Sequence, residues 1–186
     1  SIQDNDFAND AVAELILSGA ALVLPDGGLF GTVGLGPASA INPIGATHTV
    51  TATAQSTGGS FIPGVSINFK VLTGPNANLT GSGVTNAQGQ TTFTYTGLHV
   101  GTDTIQASIG QTLLSNVVTK IWYLTCDVDS NDTVNNADLL SIRAKNNQAA
   151  SGPNDLFDAN KDGFINVADV RYCQLRLTPT RPPVAP

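Results

Sequence analysis

The chain has 186 residues, of which 41% are apolar and 12% are charged, and its formal net charge is −6 at pH 7. This apolar fraction is sufficient for a core, and the length suits one or two domains. Eight of the fourteen acidic residues lie between Asp127 and Asp169, so the negative charge is local. The absence of a basic stripe excludes nucleic acid as an expected partner. No apolar run reaches the roughly 18 residues of a membrane-spanning helix, so no membrane span is expected.

Residues 1–36 form an apolar, glycine-rich N-terminal segment for which three alternatives stay open. A short helix could cover residues 11–18. Residues 20–24 and 29–34 could instead form a hairpin around an Asp-Gly-Gly turn. The third alternative is a strand that is exchanged with another subunit. Short apolar runs do not distinguish helix from strand.

Residues 37–124 contain runs in which polar and apolar residues alternate, a pattern that predicts half-buried strands. The predicted strands are 47–55, 64–72, 90–95, 102–109 and 112–122. Turn signals such as Pro63-Gly64 and Gly74-Pro75 separate them. Several strands at this spacing indicate a β-sandwich. The polar residues His48, His99 and Asp103 of this region are interpreted as structural, Asp103 as part of a turn.

Three segments of this region carry a family resemblance: ASAINPIGATHTVTATA, GVSINFKVLTGPNANLTGSGVTNAQGQTTFTYTG and GTDTIQASI. Over about residues 33–124 the chain resembles the bacterial immunoglobulin-like (Ig-like) domain of the invasin and intimin type. The resemblance implies a stiff sandwich that surface and secreted proteins use as a spacer or adhesive module. It implies no catalysis, and the sequence shows no catalytic motif. The chain is therefore expected not to be an enzyme.

Residues 125–177 contain two 12-residue segments with the same spacing of oxygen-bearing side chains. The first, residues 127–138, reads DVDSNDTVNNAD, and the second, residues 158–169, reads DANKDGFINVAD. Each has Asp or Asn at its first, third, fifth, ninth and twelfth positions. An EF-hand-like loop needs this spacing to surround one Ca²⁺ with oxygens. A solvated turn would explain either segment alone, but two in register favour metal binding, with two Ca²⁺ ions as the expected cofactors.

We expect each loop to provide four side chains and one backbone carbonyl to its ion. The candidate ligands of the first loop are Asp127, Asp129, Asn131, the carbonyl of Thr133, and Asp138. The candidate ligands of the second loop are Asp158, Asn160, Asp162, the carbonyl of Phe164, and Asp169. Asn135 and Asn166 are expected to act through a water molecule.

The sixth position of such a loop requires a left-handed backbone. Gly163 adopts this conformation freely, whereas Asp132 adopts it at a cost. The second loop is therefore expected to be the better formed.

Both loops end in Asp instead of Glu, lack an entering helix, and precede the apolar runs ADLLSIRAK and ADVRYCQLRL. In these features residues 126–177 resemble dockerin modules. The resemblance implies two Ca²⁺ ions, two antiparallel helices and a pseudo-twofold axis. Such an axis would bring Cys126 and Cys173 together, which implies a disulfide suited to an oxidising compartment.

Dockerins commonly bind cohesin domains through the tenth and eleventh loop positions. These positions are Asn136-Ala137 and Val167-Ala168 here, so the small hydroxyl pairs of cellulosomal dockerins are missing. The region still defines one alternative function, a recognition module that docks a cohesin-bearing partner. Contact would then be made by the helix faces around Arg143, Lys145 and Arg171.

The fold class that we predict is mainly β: an Ig-like β-sandwich, a small C-terminal α-helical dockerin-like domain, and a Pro-rich tail over residues 178–186. The expected function is that of an extracellular or cell-surface calcium-binding structural protein. Its most specific form is a filament subunit, in which copies of the chain assemble with each other by strand exchange.

Overall fold

The computed structural model describes residues 29–178. The helix, hairpin and exchanged-strand alternatives for residues 1–28 therefore lie outside the described residues, as does the Pro-rich tail beyond residue 178. Within the described range, neither helix has the length and hydropathy that a membrane span requires.

Nine strands form the first part of the described chain. In chain order they are β1 (Phe30–Gly36), β2 (Ser39–Pro43), β3 (Thr47–Ser56), β4 (Ser66–Thr73), β5 (Thr80–Val84), β6 (Gln90–Thr96), β7 (Gly101–Ile109), β8 (Leu113–Leu114) and β9 (Val118–Tyr123). One sheet has the order β1-β3-β6, and the other has the order β2-β9-β7-β4-β5, with β8 paired to β7. The predicted mainly β fold with an Ig-like sandwich is confirmed.

Alternate residues of these strands build the interior of the sandwich, as the period of two requires. Strand β4 buries Ile67, Phe69 and Val71, and β3 buries Val50, Ala52 and Ala54. On the opposite face of β3, threonines alternate with these residues and pair with the threonines of β6. The alternation that predicted four of the strands is thus the pattern of burial.

The predicted strand over residues 112–122 is wrong in its extent. The structure divides it into β8 and β9, separated by Ser115 to Val117. The N–H of Ser115 donates to the Ala107 carbonyl, and the hydroxyl of Ser115 accepts from the N–H of Ala107. These bonds turn the chain away from a continuous ladder at this point.

Asp103 lies in β7 and not in a turn, contrary to the sequence interpretation, and it is fully buried. Its Oδ1 accepts from the Asn76 N–H at 3.0 Å, and its Oδ2 accepts from Asn76 Nδ2 and from the Tyr95 hydroxyl. Lys120 on β9 is buried as well, and burial lowers its pKa to about 8, although the charge of Asp103 acts in the opposite direction. Burial, followed by the charge of Lys120, also lowers the pKa of His48.

The described chain divides into two compact units. The first contains residues 29–40, 47–96 and 102–121, and the second contains residues 41–46, 97–101 and 122–178. The second unit includes helix α1 (Asn136–Ala144), strands β10 (Gln148–Ala149) and β11 (Phe164–Ile165), and helix α2 (Val167–Gln174). We call residues 122–178 the C-terminal unit.

A small apolar core holds the C-terminal unit together. Its buried members are Cys126, Val134, Leu139, Ile142, Ala159, Ile165, Val170 and Cys173. Cys126 and Cys173 form a disulfide with a Cα–Cα distance of 5.5 Å, as predicted. In the chain-entropy description, closing a loop of this length stabilises the folded state by about 4 kcal/mol.

Candidate metal centre

The two acidic loops adopt the same backbone conformation at the positions that bend them most. At the sixth position, φ is 64° at Asp132 and 92° at Gly163, so both residues are left-handed as expected. The fourth position is also left-handed in both loops, with φ of 60° at Ser130 and 63° at Lys161. Sequence reasoning did not identify this second bend.

The carboxylate at the first position of each loop is buried and accepts two backbone N–H groups of its own loop. Asp127 Oδ1 accepts from Asn131 at 3.0 Å, and Oδ2 accepts from Asp132 at 2.8 Å. Asp158 Oδ1 accepts from Asp162 at 3.1 Å, and Oδ2 accepts from Gly163 at 3.0 Å. The loops therefore fold around their first residue in the same way.

The carboxylate at the twelfth position closes each loop from the following helix. Asp138 Oδ1 accepts from the N–H of Val128 and Oδ2 from that of Asn135, at 2.9 and 2.8 Å. The equivalent oxygens of Asp169 accept from Asn160 and Asn166, at 3.1 and 2.8 Å. Asp138 and Asp169 are fully buried, although a carboxylate without charge compensation is costly to bury.

Asn135 and Asn166, which the sequence placed near the ion through a water molecule, cap the helices. Asn135 Oδ1 accepts from the Ala137 N–H, and Asn166 Oδ1 accepts from the Ala168 N–H, each at 2.7 Å. Each cap is reciprocal, because the carboxylate three residues later accepts the N–H of the capping residue. The same motif thus starts the helix and orients the twelfth carboxylate.

In the first loop, three carboxylates converge. Oxygen atoms of Asp127, Asp129 and Asp138 all lie within 4.8 Å of one another. Desolvation raises the pKa of Asp129, and the negative charge of Asp138 raises it further. Three like charges at this separation repel each other unless a cation lies between them.

The second loop has a different distribution of the same ligand types. Its third position is Asn160 and its fifth is Asp162, joined by a hydrogen bond of 2.9 Å between Asn160 Nδ2 and Asp162 Oδ2. In the first loop the order is reversed, with Asp129 third and Asn131 fifth, and the corresponding bond is also 2.9 Å. Each loop therefore offers three carboxylates and one amide oxygen, a donor set that suits a hard divalent cation such as Ca²⁺.

The two halves of the C-terminal unit exchange backbone hydrogen bonds. The N–H of Asn147, after α1, donates to the carbonyl of Ile165 in the second loop at 2.8 Å. The N–H of Thr178, after α2, donates to the carbonyl of Val134 in the first loop, also at 2.8 Å. Both members of the second pair are offset by 31 residues from those of the first. This exchange matches the pseudo-twofold relationship that the dockerin resemblance implies.

Comparison with known families bears on the sandwich alone. Residues 45–121 match the family model of the bacterial Ig-like domain (group 1). The matched residues are fewer than half of the chain and do not include either acidic loop. The match supports the Ig-like prediction. None of the curated proteins compared with this chain matches it.

Several solved structures resemble about half of the chain. Domains 4 and 5 of the S-layer protein SbsC cover 51% of this chain and 53% of their own, with 18% identity and a TM-score of 0.39. The D00-D0 domain of intimin covers 50% and 46%, with 22% identity and a TM-score of 0.35. A C-terminal intimin fragment in complex with the intimin-binding domain of its translocated receptor covers 49% and 32%, with 14% identity and a TM-score of 0.36. This chain thus spans about half of the first two structures.

Proposed function

We propose that this chain is an extracellular, non-enzymatic structural protein whose C-terminal unit binds two Ca²⁺ ions. The observation that carries the proposal is the repetition of one loop geometry 31 residues apart. In each copy, two buried carboxylates, at the first and twelfth positions, are oriented by backbone N–H groups of the same loop. A solvated turn has no need to bury its acids.

Calcium would act in this unit as a structural ion. The first loop would provide Asp127, Asp129, Asn131 and Asp138, and the second loop would provide Asp158, Asn160, Asp162 and Asp169, together with the carbonyls of Thr133 and Phe164. The cation offsets the repulsion of the converging carboxylates and therefore favours the folded unit. Free Ca²⁺ at 100 times the dissociation constant would stabilise a one-site protein by about 2.7 kcal/mol.

Thermal unfolding in Ca²⁺ and in chelator tests this proposal. The melting temperature of the wild-type chain should rise with Ca²⁺ concentration, and Asp127→Ala combined with Asp158→Ala should abolish that rise. The matched control is Asp132→Asn, which removes a charge from the first loop at a position that provides no predicted ligand. If the double variant keeps the full calcium response, the loops are not the calcium sites.

A location at the cell surface or in a matrix follows from the sandwich. The bacterial Ig-like family match supports such a location, and the Cys126–Cys173 disulfide is consistent with an oxidising compartment. The role that we propose there is that of a building block, with copies joined into a filament by exchange of the apolar N-terminal segment. Electron microscopy of the purified chain, with Ca²⁺ and with chelator, would detect the filaments.

A second candidate function is recognition of a cohesin-bearing partner. The observation that favours it is a set of apolar side chains that the C-terminal unit leaves mostly exposed: Leu140, Phe164, Val167 and Leu175, at 62%, 60%, 63% and 87%. Exposed apolar groups of this kind often mark an interaction site. Arg143 and Arg171 on the two helices are also exposed.

Assembly and recognition differ in a direct binding experiment. Filaments that form from the purified chain alone would support the building block. A chain that stays monomeric and is retained by immobilised cohesin domains would support recognition. In the second case, Val167→Asp should abolish retention, while Asn136→Asp at the equivalent position of the first loop serves as the matched control.

A further inference from the structure

One side chain occupies the outer edge of β1. The N–H of Leu35 donates to Asn116 Oδ1 at 2.8 Å, and Asn116 Nδ2 donates to the Leu35 carbonyl at 2.9 Å. An adjacent antiparallel strand makes the same pair of bonds with a single residue. The amide of Asn116 therefore takes the place of a strand's peptide group at Leu35.

Strand β1 has an unpaired side along the rest of its length. Among residues 29–178 its hydrogen-bonded neighbour is β3, which pairs with it on one side. Because backbone groups alternate between the two sides of a strand, Val33 presents its N–H and C=O on the same side as Leu35. The strand reads FGTVGLG and has no charged residue, the usual protection of an exposed edge.

Asn116 is held at this edge by β7. The N–H of Ser115 donates to the Ala107 carbonyl at 2.9 Å, and the Ala107 N–H donates to Ser115 Oγ at 2.9 Å. Ser115 Oγ in turn donates to the carbonyl of Asn116 at 2.7 Å. The backbone that carries Asn116 is thereby fixed on both sides of the Ser115 side chain, so the amide has a defined position.

We propose that the edge of β1 from residue 30 to residue 34 accepts an extended strand from a second copy of this chain, and that Asn116 determines where the added strand ends. The proposal rests on the filament assembly described above and names its acceptor. The donor that we assign is residues 20–24, AALVL, which lie in the 28 residues before Leu29. Five residues of strand extend over about 17 Å, the same length as the open part of the edge.

Chemistry and length favour this occupant. An apolar donor can alternate its side chains with Val33 and Leu35, which are buried at 4% and 6% exposure. Each chain has one donor and one acceptor at different places, so the contact is heterologous and extends into a filament when the rotation does not close. A donor strand reaching Leu35 would have to displace the Asn116 amide.

Hydrogen exchange of the full chain, monitored by mass spectrometry before and after concentration, tests the proposal. On assembly, peptides covering residues 30–34 should exchange at least about tenfold more slowly. Asn116→Ala should expose the Leu35 amide in the dilute protein and accelerate assembly severalfold. Asn116→Asp, which keeps the acceptor and loses the donor, should act in the same direction, and Asn68→Ala on the exposed face of β4 should behave as wild type.

Three results would overturn the proposal, and they differ from one another. Protection of residues 30–34 at high dilution would show that the strand comes from the same chain. Assembly with protection at β5 and none at β1 would move the acceptor and leave the proposed filament intact. If neither wild type nor Asn116→Ala assembles, both the filament and this acceptor are wrong.

Discussion

Val134 and Thr178 are joined by two hydrogen bonds, one in each direction. The N–H of Val134 donates to Thr178 Oγ1 at 2.9 Å, and the N–H of Thr178 donates to the Val134 carbonyl at 2.8 Å. Val134 is the buried eighth residue of the first loop, whereas Thr178 follows the helix of the second. This pair therefore connects the two halves of the C-terminal unit.

Thr178→Val should weaken that connection. The change removes the hydroxyl that accepts the Val134 N–H, at a cost of about 1 kcal/mol in the free energy of unfolding. Thr178→Ser, which keeps the hydroxyl, is the matched control. Urea unfolding of both variants measures the difference, and equal stabilities would show that the side-chain bond contributes nothing.

Asp129→Asn should have opposite effects without and with Ca²⁺. The raised pKa of Asp129 means that its ionised form is disfavoured in the folded, metal-free loop, because of desolvation and the charge of Asp138. Neutralising it should therefore raise the melting temperature in chelator at pH 7. This gain should disappear as the pH falls below the ordinary carboxyl value, where the wild-type side chain is protonated as well.

In Ca²⁺ the same variant loses a charged ligand. Its calcium affinity should fall by about tenfold, equivalent to about 1.4 kcal/mol. Calorimetric titration and thermal unfolding of the same preparation give both values. A variant that loses stability in chelator would contradict the repulsion that we infer among the three carboxylates of the first loop.

Asp132→Gly should stabilise the protein in both conditions. Asp132 has a φ of 64°, a left-handed conformation that costs a residue with a Cβ about 1 kcal/mol more than it costs glycine. Its equivalent in the second loop is already Gly163. The expected gain is below about 1 kcal/mol, because glycine also lowers stability through the unfolded chain. Chemical denaturation measures it, and a loss of stability would show that the Asp132 side chain has a contact worth more than the strain.

Lys120 should make stability depend on pH in the alkaline range. Burial lowers its folded-state pKa to about 8, from an ordinary value of 10.5. Between these two values the unfolded chain binds the proton and the folded chain does not, so stability from this group increases as the pH rises. Lys120→Met should remove that increase. Urea unfolding at pH 8 and at pH 10 tests this, and identical pH slopes for the two proteins would contradict it.

The alternating strands were predictable because their side chains face two environments in turn. Strand β5 was missed because its inward positions are Gly81 and Gly83, which give no apolar signal. An added Cβ at Gly81 would collide with the ring of Phe93, and one at Gly83 would collide with the hydroxyl of Thr91. The space on this face is filled by β6, so the residues that explain β5 belong to another strand.

The acidic loops were readable for a different reason, since their ligands lie within twelve residues and each loop folds around its own first carboxylate. The contacts between distant residues had no such local signal. Asn116 and Leu35 are 81 residues apart, and nothing in either segment indicates the pair. Asp103 and Lys120 interrupt the apolar face of their strands, and only the folded interior shows that Asp103 is satisfied by Asn76 and Tyr95.

The most direct test of the central claim is a calorimetric titration of the metal-free full chain with CaCl₂, alongside Asp127→Ala and Asp158→Ala as single variants. Our account predicts two Ca²⁺ ions per wild-type chain and one ion fewer in each variant. Binding of no Ca²⁺ by the wild-type chain, or an unchanged stoichiometry in both variants, would contradict it.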